Sequence, residues 1–183
     1  SIEQAQSAKA DIVVLSELAL SGYPPEDLLL RPDLFGLIVE ALDELESLNS
    51  EVAVVVGHPR HKAGKTYNSA SFIHKGDTLL CYDKQLLPNY SVFDEKRYFT
   101  PASDCPVINF KGVNISILIC EDLWFKEPAQ VAKLAGAELI LSPNASPYYY
   151  GKAPVRGDEM ASRAKENNIP VIYVNQVGGQ DEL

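Results

Sequence analysis

Apolar residues along the chain fall into short runs that are rich in valine and isoleucine and are separated by polar turns. Such runs are typical of β-strands. They predict strands at residues 12–15, 52–56, 70–73, 78–82, 113–119, 139–141 and 171–174. Between several of these runs, apolar positions recur at helical spacing, which predicts helices over residues 33–48, 128–135 and 158–167.

Strand and helix alternate over much of the chain, as is typical of α/β proteins. In the middle, the two predicted strands at residues 70–73 and 78–82 flank the polar turn His74-Lys75-Gly76-Asp77, which predicts a β-hairpin. A hairpin places antiparallel strands in a sheet whose other connections favour parallel pairing. The pattern therefore predicts an α/β sandwich with mixed sheets.

Length and charge narrow the classes of function. The 183 residues, 46% of them hydrophobic, suffice for one well-filled core, so we expect a single domain. A net charge of -9 repels a phosphate backbone, which argues against a nucleic-acid partner. No apolar run is long enough to cross a bilayer and the first ten residues are polar, so we expect no membrane partner and a cytoplasmic location.

The three cysteines, Cys81, Cys105 and Cys120, show no C-x-x-C spacing, which predicts free thiols in a reducing compartment. Histidine spacings typical of metal sites and glycine-rich phosphate loops are missing from the sequence, so we expect no metal and no cofactor in this domain.

The two ends suggest that the domain continues beyond the chain. The sequence begins at Ser1 without a methionine, directly in a helical pattern, and stops just after the last predicted strand. We therefore expect that residues 1–183 are a fragment with pieces missing from both ends.

Cys120 is the best candidate for a nucleophile, because it lies where the buried strand-like run 113–119 ends and a polar, acidic turn begins. Open α/β sheets bind their ligands in crevices at the carboxyl ends of strands. The alternative is that Cys120 is one more small buried hydrophobe, since free cysteines are among the most buried residue types.

Glu17 and Lys84 occupy equivalent positions, each just after a strand-like run. Taken singly, the first could be a carboxylate that faces water and the second a solvated surface lysine. Together with Cys120 they are three chemically complementary groups at the ends of three strands, and the ends of adjacent strands can converge on one site.

These three residue types suit acyl transfer through a thioester. A thiol needs a base or a cation beside it to react at neutral pH. Glu17 could take the thiol proton and return it to the leaving amine, while Lys84 favours the thiolate and binds the oxyanion. Glu121 and Asp122, which follow Cys120, would oppose thiolate formation if they pointed inward.

A Cys-His pair is the competing arrangement. His58 follows the end of a strand and is the only one of the three histidines that could reach the crevice. His61 lies among basic residues and His74 lies in the predicted hairpin.

Three blocks resemble the carbon-nitrogen hydrolase (nitrilase) superfamily, whose members use Glu, Lys and Cys in that chain order. They are residues 16–29 (SELALSGYPPEDLL), 84–99 (KQLLPNYSVFDEKRYF) and 119–124 (ICEDLW). Within the superfamily they look like the glutaminase domains of the bacterial-type, glutamine-dependent NAD+ synthetase family. The resemblance implies a four-layer α-β-β-α sandwich with two mixed sheets.

The resemblance also implies roles for individual residues. Glu17 would be the general base, Lys84 the oxyanion-side lysine and Cys120 the nucleophile that attacks the glutamine side-chain amide, with Glu95 as an additional glutamate that orients the lysine and the amide. The residues implied for substrate binding are Tyr90, Ser146 and Lys152 at the amino-acid end of glutamine and Tyr23, Phe93 and Glu121 along the pocket.

In that family the ammonia passes to a synthetase domain of the same polypeptide, which adenylates nicotinic acid adenine dinucleotide with ATP and Mg2+. That domain is not present in this chain, and the resemblance implies that the family's usual first strand, which would precede Ser1, and the C-terminal part of the glutaminase domain are also missing from it. Members of the superfamily commonly pair their sandwiches, so a homo-oligomer is expected. Two alternatives stay open: a stand-alone amidase acting on another small amide, and a non-catalytic homologue, against which the intact Glu17, Lys84 and Cys120 set argues.

Overall fold

Two four-stranded sheets form the framework of the chain in the computed structural model, which describes residues 2–180. The first half contains α1 (Ile2–Ser7), β1 (Ile12–Val14), a 3-10 turn (Glu26–Leu30), α2 (Leu34–Ser47), β2 (Ala53–Lys62), β3 (Lys65–His74), β4 (Asp77–Asp83) and the short helix α3 (Glu95–Tyr98). The second half contains β5 (Val107–Phe110), β6 (Val113–Ile117), a second 3-10 turn (Cys120–Leu123), α4 (Lys126–Leu134), β7 (Leu139–Asn144), α5 (Lys152–Asn167) and β8 (Val171–Asn175). Residue 1 and residues 181–183 lie outside the described residues. They are the two ends at which the sequence predicts that segments are missing.

Both sheets are mixed, as the sequence predicts. In the first sheet, of order β1-β2-β3-β4, the first pair is parallel and the others are antiparallel. In the second, of order β5-β6-β7-β8, β5 and β6 are antiparallel and the rest are parallel. The carboxyl ends of β1, β2 and β4 therefore lie at one end of the first sheet, and those of β6, β7 and β8 lie at one end of the second.

The sheets pack face to face between two layers of helices. One buried cluster joins Val55 and Phe72 of the first sheet to Ile117 and Ile140 of the second, and continues to Ala132 of α4. A separate cluster covers the other face of the first sheet, where the side chains of α1 and α2 lie against Val54, Val56 and Ile73. The predicted four-layer α-β-β-α sandwich is confirmed.

The predicted hairpin is confirmed, since β3 ends at His74 and β4 begins at Asp77. The structure also has a hairpin that the apolar pattern does not reveal. Strands β2 and β3 extend toward each other through polar residues and meet at a turn formed by Ala63 and Gly64, both in the left-handed region. Backbone pairing extends these strands beyond their apolar parts, because it does not depend on which side chains alternate.

Two further elements differ from the sequence expectations. Strand β5 is too short and too irregular in polarity to be predicted, yet it pairs with β6 along its whole length. Helix α5 begins at Lys152, six residues before the predicted helix, although it contains Pro154 and Gly157. Pro154 is tolerated because the first turn of a helix has no intrahelical partners for its N–H groups.

The segment after β1 crosses β2 so closely that only glycine fits beneath it. A β-carbon at Gly57 would lie 2.4 Å from the backbone nitrogen of Leu18 and 2.5 Å from the carbonyl oxygen of Ser16. The N–H of Leu20 also donates to the carbonyl of Gly57 at 3.2 Å. The backbone segment that carries Glu17 is therefore in direct contact with the backbone of strand β2.

We expect Gly57→Ala to destabilise the fold, because the added methyl group collides with backbone rather than with a flexible side chain. Overpacking of this kind costs about 1–3 kcal/mol. The matched control is Gly36→Ala in α2, where a β-carbon meets nothing within 4 Å and helix propensity favours alanine. The free energies of unfolding, measured with urea, should fall for the first variant and not for the second; equal effects would contradict the close approach.

Candidate active site

Glu17 is fully buried just beyond the carboxyl end of β1. Its Oε1 accepts hydrogen bonds from Asn68 Nδ2 at 2.8 Å and Lys84 Nζ at 2.7 Å. Its Oε2 accepts one from the backbone N–H of Ala145, which follows β7, at 3.0 Å. Donors from both sheets thus fix this carboxylate, and the alternative of a water-facing glutamate does not hold.

Lys84 is also fully buried, just after β4. Its Nζ lies 2.7 Å from Glu17 Oε1 and 2.8 and 2.9 Å from the two oxygens of Glu95. Burial alone would lower the pKa of Lys84, but the charges of Glu17 and Glu95 outweigh burial and raise the pKa well above its ordinary value. The site therefore contains a permanent ammonium group held between two carboxyl groups.

Glu95 is the first residue of α3 and is buried. The hydroxyl of Tyr23 donates to its Oε1 at 2.8 Å. Burial raises the pKa of Glu95 to about 7, against the lowering effect of Lys84 and with a further increase from Glu17. Near neutral pH this carboxyl group is therefore poised between its protonated and ionised forms.

Cys120 is buried at the point where the chain leaves the strand β6 and enters the 3-10 turn. Its φ of 44° lies in the left-handed region, which costs energy for a residue other than glycine and is common at functional sites. Burial raises the pKa of the thiol well above its ordinary value, and Glu17 raises it further while Lys84 lowers it. Lys84 thus favours the thiolate, as the sequence argument expected, but burial and Glu17 have the larger effect and keep the resting thiol neutral.

The two acidic residues after Cys120 do not share one environment. The carboxylate of Glu121 accepts the hydroxyl of Tyr90, at 3.1 and 3.0 Å from its two oxygens. Asp122 turns toward backbone N–H groups, including that of Ile119 at 2.9 Å. Glu121 is among the charges that raise the pKa of the Cys120 thiol.

The residues expected to bind substrate surround neighbouring cavities. Tyr90, Phe93, Ser146 and Lys152 line one cleft of ≈ 560 Å³. Tyr23 and Ser146 line a second, of ≈ 770 Å³, and Glu121 and Tyr90 line a third, of ≈ 610 Å³. Ser146 and Tyr90 each border two of the cavities, so all six expected residues lie around one region.

The ammonium of Lys152 faces aromatic rings at the wall of the 560 Å³ cleft. Its Nζ lies 5.0 Å from the ring centre of Tyr149 and 5.9 Å from that of Trp124. Such cation–π contacts hold a cation without neutralising it. Burial and the charge of Arg156 lower the pKa of Lys152.

Sequence reasoning missed three groups that hold the site together. Asn68, on the polar part of β3, binds Glu17, and the N–H of Ala145 binds the other oxygen of the same carboxylate. Asn175, at the end of β8, fixes Ser146 by accepting its N–H at 2.9 Å and donating to its carbonyl at 3.1 Å. An asparagine inside a predicted strand could have indicated the role of Asn68. The predicted strand began at residue 70, however, so Asn68 was not recognised as part of β3.

His58 is engaged away from Cys120. Its Nε2 lies 2.8 Å from Ser71 Oγ and its Nδ1 lies 3.1 Å from the carbonyl oxygen of Pro59. Burial lowers the pKa of His58, so the ring is neutral. Both ring nitrogens have partners, which leaves the Cys-His arrangement without support.

The described range, residues 2–180, contains neither a side-chain cluster suited to a metal ion nor a helix suited to a membrane. Across this range, no cluster of three or more His, Cys, Asp or Glu side chains has an arrangement that could hold a metal ion. None of the helices in the same range has the length and apolar character needed to span a membrane.

Sequence comparison places the chain among proteins that hydrolyse carbon-nitrogen bonds. The carbon-nitrogen hydrolase family profile matches residues 1–183. A glutamine-dependent NAD(+) synthetase of Xanthomonas campestris is 48% identical over 177 residues, which are 96% of this chain and 32% of that protein. One from Aquifex aeolicus is 44% identical over 180 residues, 97% of this chain and 32% of that protein. The chain thus spans about a third of the length of these curated relatives.

Solved structures agree with this placement. The glutamine-dependent NAD+ synthetase of Acinetobacter baumannii superposes with a TM-score of 0.93 at 39% identity, covering 99% of this chain and 35% of that chain. An amidase of Nesterenkonia AN1 from the nitrilase superfamily superposes at 0.85 with 26% identity, covering 95% of this chain and 66% of that chain. A glutamate-to-glutamine mutant of that amidase carries the acetamide moiety of fluoroacetamide on its active-site cysteine. The sequence and the fold agree: this chain belongs to the carbon-nitrogen hydrolase family.

Proposed function

We propose that this chain hydrolyses the side-chain amide of glutamine through a thioester on Cys120 and supplies the ammonia for glutamine-dependent NAD+ synthesis. The observation that carries the proposal is the buried ammonium of Lys84, which lies 2.7 Å from Glu17 and 2.8 Å from Glu95 in a site whose charges act on the buried thiol of Cys120. Burying a cation with two carboxyl groups is costly, and such clusters of perturbed ionisable groups are found mainly at functional sites.

Glu17 is the general base, and its Oε2 is the atom that takes the thiol proton. Oε1 already accepts two hydrogen bonds, from Asn68 and Lys84, whereas Oε2 accepts one, from Ala145. A carboxylate oxygen has room for two donors, so Oε2 can accept one more. Because the resting thiol is neutral, its proton moves to Glu17 as the sulfur attacks the amide carbon.

Lys84 stabilises the negative charge that develops on the amide oxygen. The charge forms in a water-poor site, where a fixed ammonium group has a larger effect than in bulk water. Glu17 then returns the proton to the amide nitrogen, the C–N bond breaks and ammonia leaves. Water attacks the thioester, Glu17 takes its proton, and glutamate leaves as the Cys120 thiol is restored.

The 560 Å³ cleft accommodates the amino-acid end of glutamine. The ammonium of Lys152 suits the α-carboxylate, and the carboxylate of Glu121, which already binds Tyr90, suits the α-ammonium group. Ser146, fixed by Asn175, adds a hydroxyl group at the same end, while Phe93 and Tyr23 lie along the pocket.

The ammonia is consumed by a synthetase domain on the same polypeptide, which uses ATP and Mg2+ to activate nicotinic acid adenine dinucleotide. Support comes from the share of the relatives that this chain covers, which leaves about two thirds of their length for other domains. We also propose that the protein is cytoplasmic and that two copies of the chain pair through their sandwiches as a homo-oligomer.

A stand-alone amidase acting on another small amide is the second candidate. The observation in its favour is the likeness to the Nesterenkonia amidase, which extends over 95% of this chain. The two candidates share the chemistry at Cys120 and differ in whether the substrate carries an amino-acid end.

The charge state of the site predicts a pH effect on stability. Glu95 keeps its proton up to about pH 7 in the folded protein, against an ordinary pKa of 4.5 that applies in the unfolded chain. Between these values the folded state holds one more proton than the unfolded state, so the free energy of unfolding falls as pH rises. The difference in unfolding free energy between wild type and Glu95→Gln should therefore fall from pH 4.5 to about 7 and then level off.

Denaturant titrations of both proteins across this range measure the difference. Asp122, whose pKa burial raises to about 6, titrates in both proteins and cancels. A difference that stays constant with pH would show that Glu95 has the same pKa in the folded and unfolded states.

Cys120→Ala should separate the two activities of the full-length protein. NAD+ synthesis from glutamine should fall by on the order of a thousandfold or more, because the nucleophile is lost, while synthesis from added ammonia should survive. Assays of NAD+ formation with each nitrogen source test this. The control is Cys105→Ala, which removes a partly buried thiol bonded to Ser116 and should preserve both activities. Parallel loss of both activities in Cys120→Ala would refute the division of labour.

Lys152→Met tests the choice of substrate. Losing one charge-assisted contact to the carboxylate should raise KM for glutamine by roughly 10-fold or more, with little change for propionamide, which has no carboxylate. The KM for each amide is measured from the steady-state rate of ammonia release. Lys165→Met, an exposed lysine on the same helix, is the matched control. Equal effects on both amides, or a wild-type preference for propionamide, would favour the stand-alone amidase.

A further inference from the structure

Asp122 is completely buried two residues after Cys120, and neutral donors surround its carboxylate. Its Oδ1 accepts the backbone N–H groups of Leu86 at 2.8 Å and Gln85 at 3.2 Å. Its Oδ2 accepts the backbone N–H of Ile119 at 2.9 Å and the hydroxyl of Tyr82 at 2.7 Å.

These contacts divide between two segments that come from different sheets. Gln85 and Leu86 directly follow Lys84, at the end of the first sheet, and Ile119 directly precedes Cys120, at the end of the second. Oδ1 of Asp122 therefore holds the segment that carries the lysine, while Oδ2 contacts both the residue before the nucleophile and Tyr82 of β4, two residues before the lysine.

We propose that Asp122 is a positioning residue that fixes the turn of Cys120 against the segment of Lys84, so that thiol and ammonium meet the same amide group. The inference rests on the proposed function only in that Lys84 and Cys120 act on one substrate. It assigns Asp122 no contact with the substrate.

The geometry requires a carboxylate at this position. Four donors converge on two oxygens, and an ionised carboxylate offers two acceptor sites on each oxygen. Asparagine has nearly the same shape but only one acceptor oxygen, so its NH2 group would face N–H donors on one side. In Asp122→Asn, one of the two segments must lose its anchor.

The loss of a negative charge and the loss of an anchor have opposite consequences for the thiol. Removing a carboxylate near a cysteine favours the thiolate and makes the sulfur more reactive. Removing the anchor lets the sulfur move away from Lys84 and slows any reaction that needs both groups. A decrease in a lysine-assisted reaction therefore identifies the positioning effect.

The experiment uses the full-length protein carrying Glu17→Gln, so that hydrolysis of a small amide does not compete with alkylation. Fluoroacetamide tests positioning: the sulfur displaces fluoride from carbon, the thioether forms, and the thiol proton leaves with fluoride. Iodoacetamide, which has a good leaving group, reports on access to the thiol alone. Peptide mass spectrometry gives the rate at Cys120 for each reagent, and the ratio of the two rates is the measured quantity.

Adding Asp122→Asn should lower the fluoroacetamide-to-iodoacetamide ratio at Cys120 by roughly tenfold or more, because small displacements of reacting groups have large effects on rate. Ser71→Ala is the control, since it removes a buried 2.8 Å hydrogen bond to His58 away from Cys120 and should leave the ratio within about twofold. A smaller decrease in folded Asp122→Asn, or an equal decrease in Ser71→Ala, overturns the proposal.

Tyr82→Phe decides the case if Asp122→Asn does not fold. It removes one donor from Oδ2 and keeps the three backbone contacts, so a decrease of roughly threefold or more supports the proposal and a smaller one overturns it. If the wild-type protein does not hydrolyse glutamine, the proposed function fails, but the ratio still measures the anchoring by Asp122.

Discussion

The ammonium of Lys84 between the carboxyl groups of Glu17 and Glu95 is the interaction on which the site depends. All three groups are buried and come from three separate parts of the chain, after β1, after β4 and at the start of α3. Removing Lys84 would leave two buried carboxyl groups without their cation, which is far more costly than losing an exposed ion pair. The cluster therefore fixes the relative positions of these segments as well as their charges.

The same cluster sets the chemistry of the nucleophile. Burial and the two carboxyl groups keep the Cys120 thiol protonated, and the single ammonium group does not reverse their effect. In the proposed mechanism a base accepts this proton during the attack, and Glu17 Oε2 accepts one hydrogen bond from the described residues, which leaves room for a second donor. The left-handed backbone of Cys120, at the start of the 3-10 turn, places strain where the reaction is expected.

Contacts between the two sheets complete the site. The N–H of Ala145, after β7, binds Glu17 of the first sheet, and Asp122 of the second binds the N–H of Leu86 beyond β4. The carboxylate that follows a strand of each sheet thus accepts a backbone N–H group from a segment of the other sheet. Because the two sheets pack through one continuous apolar cluster, the distances within the site depend on the packing of the core.

The sequence by itself determined the mixed α/β architecture, the hairpin at residues 74–77 and the position of three reactive side chains at strand ends, because local periodicity reports which residues are buried and where a strand stops. It did not reveal the polar extensions of β2 and β3, the strand β5 or the role of Asn68, since backbone pairing and buried polar contacts leave no periodic signal. Only the tertiary structure decided that Lys84 is buried, that Asp122 turns to backbone donors and that the thiol is neutral. Those properties depend on groups that are far apart in the chain and meet only when the two sheets pack together.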